Sequence, residues 1–156
     1  MFKTFLAVIV FCSLVSFVFA GIAWAQQTPR PPVNWQPIIG PKVPGVKFFI
    51  DTNSLKTYQE KNEKYNSGEI LVSYDSNVEV SVGSKKYMVK SLVKSLVIEC
   101  DTGLMVPVLG LYFSQPKPLR TSKPITGIEY SKDISKTVVI LKKNTSLYHA
   151  LCPVYI

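Results

Sequence analysis

Leu92-Val93-Lys94-Ser95-Leu96-Val97-Ile98-Glu99-Cys100-Asp101-Thr102-Gly103-Leu104-Met105-Val106-Pro107-Val108-Leu109-Gly110-Leu111-Tyr112-Phe113 sets two apolar runs on either side of a short polar break. That arrangement reads as a β-hairpin. In the first run Leu92, Leu96, Ile98 and Cys100 alternate with Ser91, Ser95 and Glu99, so one face is expected to be buried and the other largely wet, with Lys94 spoiling the buried face once. Gly103 can take the left-handed conformation that a bulged hairpin loop over Asp101-Thr102-Gly103 requires. The second run is apolar on both faces, as expected for a strand covered on two sides or lying under a helix. Pro107 has no N–H to give a ladder, so its nitrogen is expected to face away from a neighbouring strand.

Working outward, the chain starts Met1-Phe2-Lys3, runs through apolar residues 5–20 and reaches Ala23-Trp24-Ala25, with small residues at the two positions a signal peptidase reads. Residues 1–25 are therefore expected to be a secretory signal rather than a retained membrane helix, leaving no integral membrane protein after processing. Lipid attachment at Cys12 is not expected, because Val10-Phe11 are bulky where a lipoprotein signal is small. Removing 25 residues from a chain of 156 leaves 131, enough for one domain with one core. The domain is expected over residues 34–156, behind a flexible proline-rich tether at 26–33.

Two cysteines, Cys100 and Cys152, remain in the exported part, and an even count in an oxidising compartment reads as one disulfide. Closing a loop of that length contributes on the order of 4 kcal/mol in the chain-entropy model. Charge is uneven. Residues 26–84 hold six bases and six acids, whereas residues 85–156 hold eleven bases and four acids. The excess points to an anionic partner, which for an exported protein means lipopolysaccharide, teichoic or sulfated polymers, or acidic host proteins, and not nucleic acid. Lys85, Lys86, Lys90 and Lys94 on the approach to the hairpin, with Lys117, Arg120 and Lys123 in a proline-rich loop, are the candidate binding residues. Lys90 and Lys94 fall at even spacing and would make a basic stripe, although lysines on edge strands also guard against aggregation.

Taken in order, strands are expected at 34–39, 46–50, 69–74, 87–100, 104–113 and 137–141. Residues 78–82 either extend the third strand past a bulge at Asp75-Ser76-Asn77 or form one arm of a hairpin turning at Gly83-Ser84. Asp51-Thr52-Asn53-Ser54 reads as a turn, and charged residues 55–65 as a solvated turn, a short helix or a loop. Asn144-Thr145-Ser146 caps a short helix at 147–152, followed by Pro153. Consecutive strands with one late helix make the class α+β, a six-stranded antiparallel sheet with a short C-terminal helix pinned by the disulfide.

Catalytic chemistry has little to work with. His149 is the only histidine, the disulfide consumes the thiols, and Asp51, Asp75, Glu99, Asp101, Glu129 and Asp133 show no paired spacing, so no enzyme activity, metal or cofactor is expected. The alternative is a periplasmic small-ligand carrier or enzyme with a pocket between sheet and helix. Asn144-Thr145-Ser146 also fits a glycosylation acceptor, but capping explains it better.

The order of features resembles the surface-adhesin E family of bacterial exported proteins. The residues that carry the resemblance are Trp35; Phe48-Phe49-Ile50-Asp51 with Asn53-Ser54-Leu55; Val72-Ser73-Tyr74-Asp75; Ser91 through Glu99-Cys100; Tyr112-Phe113-Ser114; and Thr145-Ser146-Leu147 with Leu151-Cys152. The resemblance implies a six-stranded antiparallel sheet with its helix tied by the cysteine pair, and a non-enzymatic role at the bacterial cell envelope in adhesion to host or matrix proteins. The periplasm, the cell surface and the medium are all compatible with it.

Overall fold

The hairpin around Gly103 forms as read, and the strands before and after it join the same sheet. The computed structural model describes residues 31–39, 42–60, 63–130 and 138–153. Its strands are β1 (Trp35–Pro37), β2 (Val46–Glu60), β3 (Glu63–Val82), β4 (Lys85–Glu99), β5 (Leu104–Phe113), β6 (Thr126–Glu129) and β7 (Val139–Ile140), followed by helix α1 (Ser146–Leu151). All pairings are antiparallel, in the order β1-β2-β3-β4-β5-β6, with β7 on the opening residues of β5. The expected signal segment and residues 26–30 of the expected tether lie outside the described residues.

Register sorts the side chains into two faces. Ile50, Ile70, Lys94, Gly110 and Ile128 stand opposite one another in successive strands, and Phe49, Leu71, Val93 and Leu111 form the adjacent row on the other side. On the first face α1 lies over Ile50, Ile70, Leu96 and Ile98, with Leu151 fully buried among them. Burying that leucine contributes about 1.5–3 kcal/mol. The Cys100–Cys152 disulfide ties the helix to the hairpin, with Cα atoms 5.8 Å apart. Tyr148 adds a hydrogen bond from its hydroxyl to the Cys100 carbonyl, and Asn66 Nδ2 donates to the Leu151 carbonyl at 2.8 Å. Thr145, not Asn144, is the N-cap, its Oγ1 accepting from the Tyr148 amide.

Several expectations are corrected. Among the described residues the sheet has seven strands rather than six: β6, a stretch of four residues, carries too little apolar pattern to stand out alone. Residues 55–60 and 63–65 are strand, not a helix or a solvated loop. Residues 56–60 and 63–67 continue the β2–β3 ladder as a ribbon with mostly exposed side chains, and a ribbon that buries so little leaves no apolar periodicity to read. The stretch from Asp51 to Ser54 lies within β2, where four residues, 52–55, bulge against Gly68 alone. Its local bonding is nonetheless of the turn kind, with the Asn53 amide on Asp51 Oδ1 and Ser54 Oγ donating to the Asp51 carbonyl. A Cβ on Gly68 would lie 2.9 Å from Leu55 and 3.2 Å from Leu151, so the glycine lets the bulge and the helix approach together.

The two alternatives for residues 78–82 are both true, because β3 continues past a bulge after Ser73 and then turns through Gly83-Ser84 into β4. The wet face expected of β4 is covered: Ser91 is buried with its hydroxyl on Gln115 of the chain after β5, and Val93 is buried among Phe49, Leu71, Phe113 and Trp35. Gly103 has φ +77° and its amide donates to the Glu99 carbonyl, as a hairpin loop needs. It also receives Leu141, whose amide bonds the Gly103 carbonyl, so closely that a Cβ there would sit 2.3 Å from the Leu141 oxygen. Pro107 lies next to a bulge at Val108, where its missing N–H costs the ladder least. The last strand is shorter than expected, and Thr137 falls outside the described residues. The helix begins one residue earlier and ends at Leu151.

Candidate functional site

The second face of the sheet is closed by residues 114–125, the basic proline loop. Several attachments hold it, among them the Ile125 amide, which donates to the Tyr112 carbonyl at 2.8 Å. Ser91 Oγ donates to the Gln115 carbonyl at 2.6 Å, Trp35 Nε1 donates to the Pro118 carbonyl at 2.9 Å, and Arg120 forks onto the carboxylates of Asp51 and Glu69. Asp51 and Glu69 are register partners on β2 and β3, so a guanidinium between them bridges two carboxylates that would otherwise repel. Asp51 is wholly buried, and its other oxygen accepts from the amides of Asn34 and Asn53 at 2.8 and 3.1 Å. Both oxygens of the buried carboxylate therefore have donors.

With the loop pinned there, a groove of about 670 Å³ opens along its edge, lined by Lys47, Phe49, Tyr74, Lys90, Lys117 and Leu119 among others. The β3 bulge supplies one wall, because four residues, 74–77, stand against Lys90 alone and bring Asp75 to the rim. Three ammonium groups share the groove with one carboxylate. Lys47 pairs with Asp75 at 2.8 Å. Lys90 donates to the Asp75 backbone carbonyl at 2.7 Å, and the Lys117 ammonium lies 4.2 Å over the Phe49 ring. Those two charges are balanced by no carboxylate among the described residues.

The expected basic residues thus fall in different places. Lys90 and Lys117 meet in the groove, joined by Lys47, which lies in the charge-balanced half of the sequence. Arg120 anchors the loop and is mostly buried. Lys85 and Lys86 occupy the exposed end of the β3–β4 hairpin, where Lys86 pairs with Glu79 at 2.7 Å. Lys94 reaches the Tyr130 ring at 5.9 Å instead of joining Lys90, and Lys123 is exposed further along the loop. Lys47 and Leu119 carry no sequence signal of their own, and Tyr74 stands out only as part of the resemblance; the bulge expected at Asp75-Ser76-Asn77 hinted that the strand would present a rim there.

Beside Lys94 the phenols of Tyr74, Tyr112 and Tyr130 come close together. Burial pushes each hydroxyl's pKa up, and neighbouring phenols push Tyr74 and Tyr130 further. A smaller hollow of about 310 Å³ lies beside α1, lined by Pro37, Ile38, Ile39, Ile50, Ser146, His149 and Ala150. It is apolar apart from Ser146 and His149. Among the described residues no three of His, Cys, Asp and Glu are grouped to hold a metal ion, and no helix is long and apolar enough to cross a membrane.

No family model and no curated protein matches the chain. Solved structures of Haemophilus influenzae protein E do match. One has a TM-score of 0.46 at 16% identity over 78% of this chain and 86% of that one, and its selenomethionine form has 0.47 at 14% over 75% and 81%. A crystal structure of protein E from non-typeable Haemophilus influenzae gives 0.42 at 15%, covering 76% and 81%. The resemblance to the surface-adhesin E family read from the sequence fits these neighbours, while TM-scores below one half leave the function to be argued from the chain itself.

Proposed function

We propose that this chain is an exported, non-enzymatic binding module that contacts anionic polymers or acidic extracellular proteins through its basic surface. The observation that carries the reading is the groove in which Lys47, Lys90 and Lys117 face a single carboxylate. Like charges held together on a rigid sheet attract an anion without any bond-making chemistry. The loop that completes the groove is tied down at several points, so its lysines need little ordering when a partner arrives. Adhesion at the cell envelope is the setting that the sequence resemblance implies.

Retention of anionic polymers on the immobilised protein tests the reading. Affinity is expected to fall steeply with salt, since exposed charges are screened over about 8 Å at physiological ionic strength. Replacing Lys90 and Lys117 by Gln is expected to weaken retention more than replacing Lys56, Lys61 and Lys64. Equal effects would reduce the charge asymmetry to a solubility feature. The hollow beside α1 favours a second reading, a carrier for a small apolar molecule, and salt-independent binding of such a molecule would select it.

A further inference from the structure

We propose that the ligand unit seated in the groove is an acidic sugar, sulfated or uronate-bearing, with its acidic group on the ammonium groups of Lys90 and Lys117 and its ring face on Pro116 and Leu119. The proposal rests on the anionic-partner reading and narrows it to one chemical class.

Lys47 brings no net charge, because Asp75 already pairs with it at 2.8 Å. Lys90 and Lys117 differ. One donates to a neutral carbonyl and the other rests over an aromatic ring, and both contacts are weaker than a charged hydrogen bond to a sulfate or carboxylate. Both ammonium groups line the groove and are open to an acidic substituent that enters it.

The same groove has an apolar wall. Leu119 is 63% exposed and Pro116 is exposed beside it, on a segment whose neighbour Pro118 is buried and bonded to Trp35. The leucine thus stands in water on a segment tied to the sheet on either side of it, at Pro118 and at Arg120. A pyranose ring has an apolar C–H face that such a wall covers, next to the acidic groups it carries. The space, about 670 Å³, is that of a site for a drug-sized ligand and so admits a short stretch of sugar. A polyphosphate or teichoic chain would use the lysines and leave Leu119 uncovered.

The test is direct binding of the purified chain to two probes, a size-defined sulfated heparin-type hexasaccharide and a polyphosphate of matched charge. Lys90→Gln/Lys117→Gln is expected to lose about tenfold or more in hexasaccharide affinity, as two charged contacts disappear. Leu119→Ser is expected to lose about three- to tenfold for the hexasaccharide and to leave polyphosphate binding unchanged, as removal of an apolar contact does. Lys85→Gln/Lys86→Gln, at the hairpin end, is expected to change either by less than about twofold. All the altered side chains are at the surface, and unchanged circular dichroism with an intact disulfide shows that each variant folds. Hexasaccharide binding that ignores Leu119→Ser, or polyphosphate bound as tightly as the sugar, overturns the sugar assignment. If neither probe binds but an acidic protein is retained in a salt-dependent way, the anionic-partner reading stands and this proposal falls; if none of them binds, both fall.

Discussion

At the scale of single residues, Arg120 and Asp51 decide whether the second face closes. Asp51 is wholly buried and relies on the guanidinium together with two backbone amides. Arg120→Gln leaves that carboxylate without its cation, and chemical denaturation is expected to show a loss of about 3–5 kcal/mol, the usual cost of breaking a buried pair from one side. Arg120→Lys is expected to recover part of it, since an ammonium keeps the charge but cannot fork to both Asp51 and Glu69. Arg120 reads in the sequence as one more base in a basic loop, because its carboxylate partners lie 51 and 69 residues away. The tyrosines supply a pH test. In the folded chain the phenols of Tyr74, Tyr112 and Tyr130 hold their protons more tightly than the ordinary value of 10.0. A group whose folded pKa is raised contributes stability that is fully present below the unfolded pKa and is lost as pH rises through the folded one. Thermal stability is therefore expected to fall above pH 10, with the ultraviolet phenolate signal of these tyrosines appearing later in the native protein than in the denatured chain. Coincident titrations would contradict the burial of these hydroxyls.

At the scale of elements, the sequence shows strands wherever apolar periodicity is imposed by a covered face. The hairpin from β4 to β5, the strand around Ile50 and the capped helix were all readable for that reason. It is silent where a ribbon buries little, as in residues 56–60 and 63–67, and where a strand is as short as β6. Covering of β4 by a loop was equally hidden. A proline-rich stretch carries no periodicity, so nothing marks which of its residues turn inward. The helix depends on the disulfide more than on its own six residues, too few to be stable alone. The Cys100→Ala/Cys152→Ala variant is expected to lose about 2–5 kcal/mol. Hydrogen exchange should show the loss first in α1 and in the Leu141 amide bonded to Gly103, while the protection of β3 and β4 persists. Uniform loss across the sheet would mean that the helix and sheet unfold as one unit.

At the scale of the whole molecule, charge asymmetry between the two halves becomes an asymmetry in space only in part. Of the bases that the sequence marks, Lys90 and Lys117 come together, Arg120 is consumed by the fold, and Lys85, Lys86, Lys94 and Lys123 stand elsewhere. A count of charges along the chain foretells a basic protein but not where its field is focused, because bulges and a folded-back loop choose which lysines meet. The site is thus a property of the tertiary structure, built where the β3 bulge meets the pinned loop. The measurement that tests this most directly is amide chemical-shift mapping of the isotopically labelled chain, titrated at low salt with a sulfated oligosaccharide. Saturable shifts are expected to centre on Lys47, Tyr74, Lys90, Lys117 and Leu119 and to fade as salt is added. Shifts centred on Ile39, His149 and Ala150 beside the helix, or spread evenly over every surface lysine, would contradict a groove built to hold an anion.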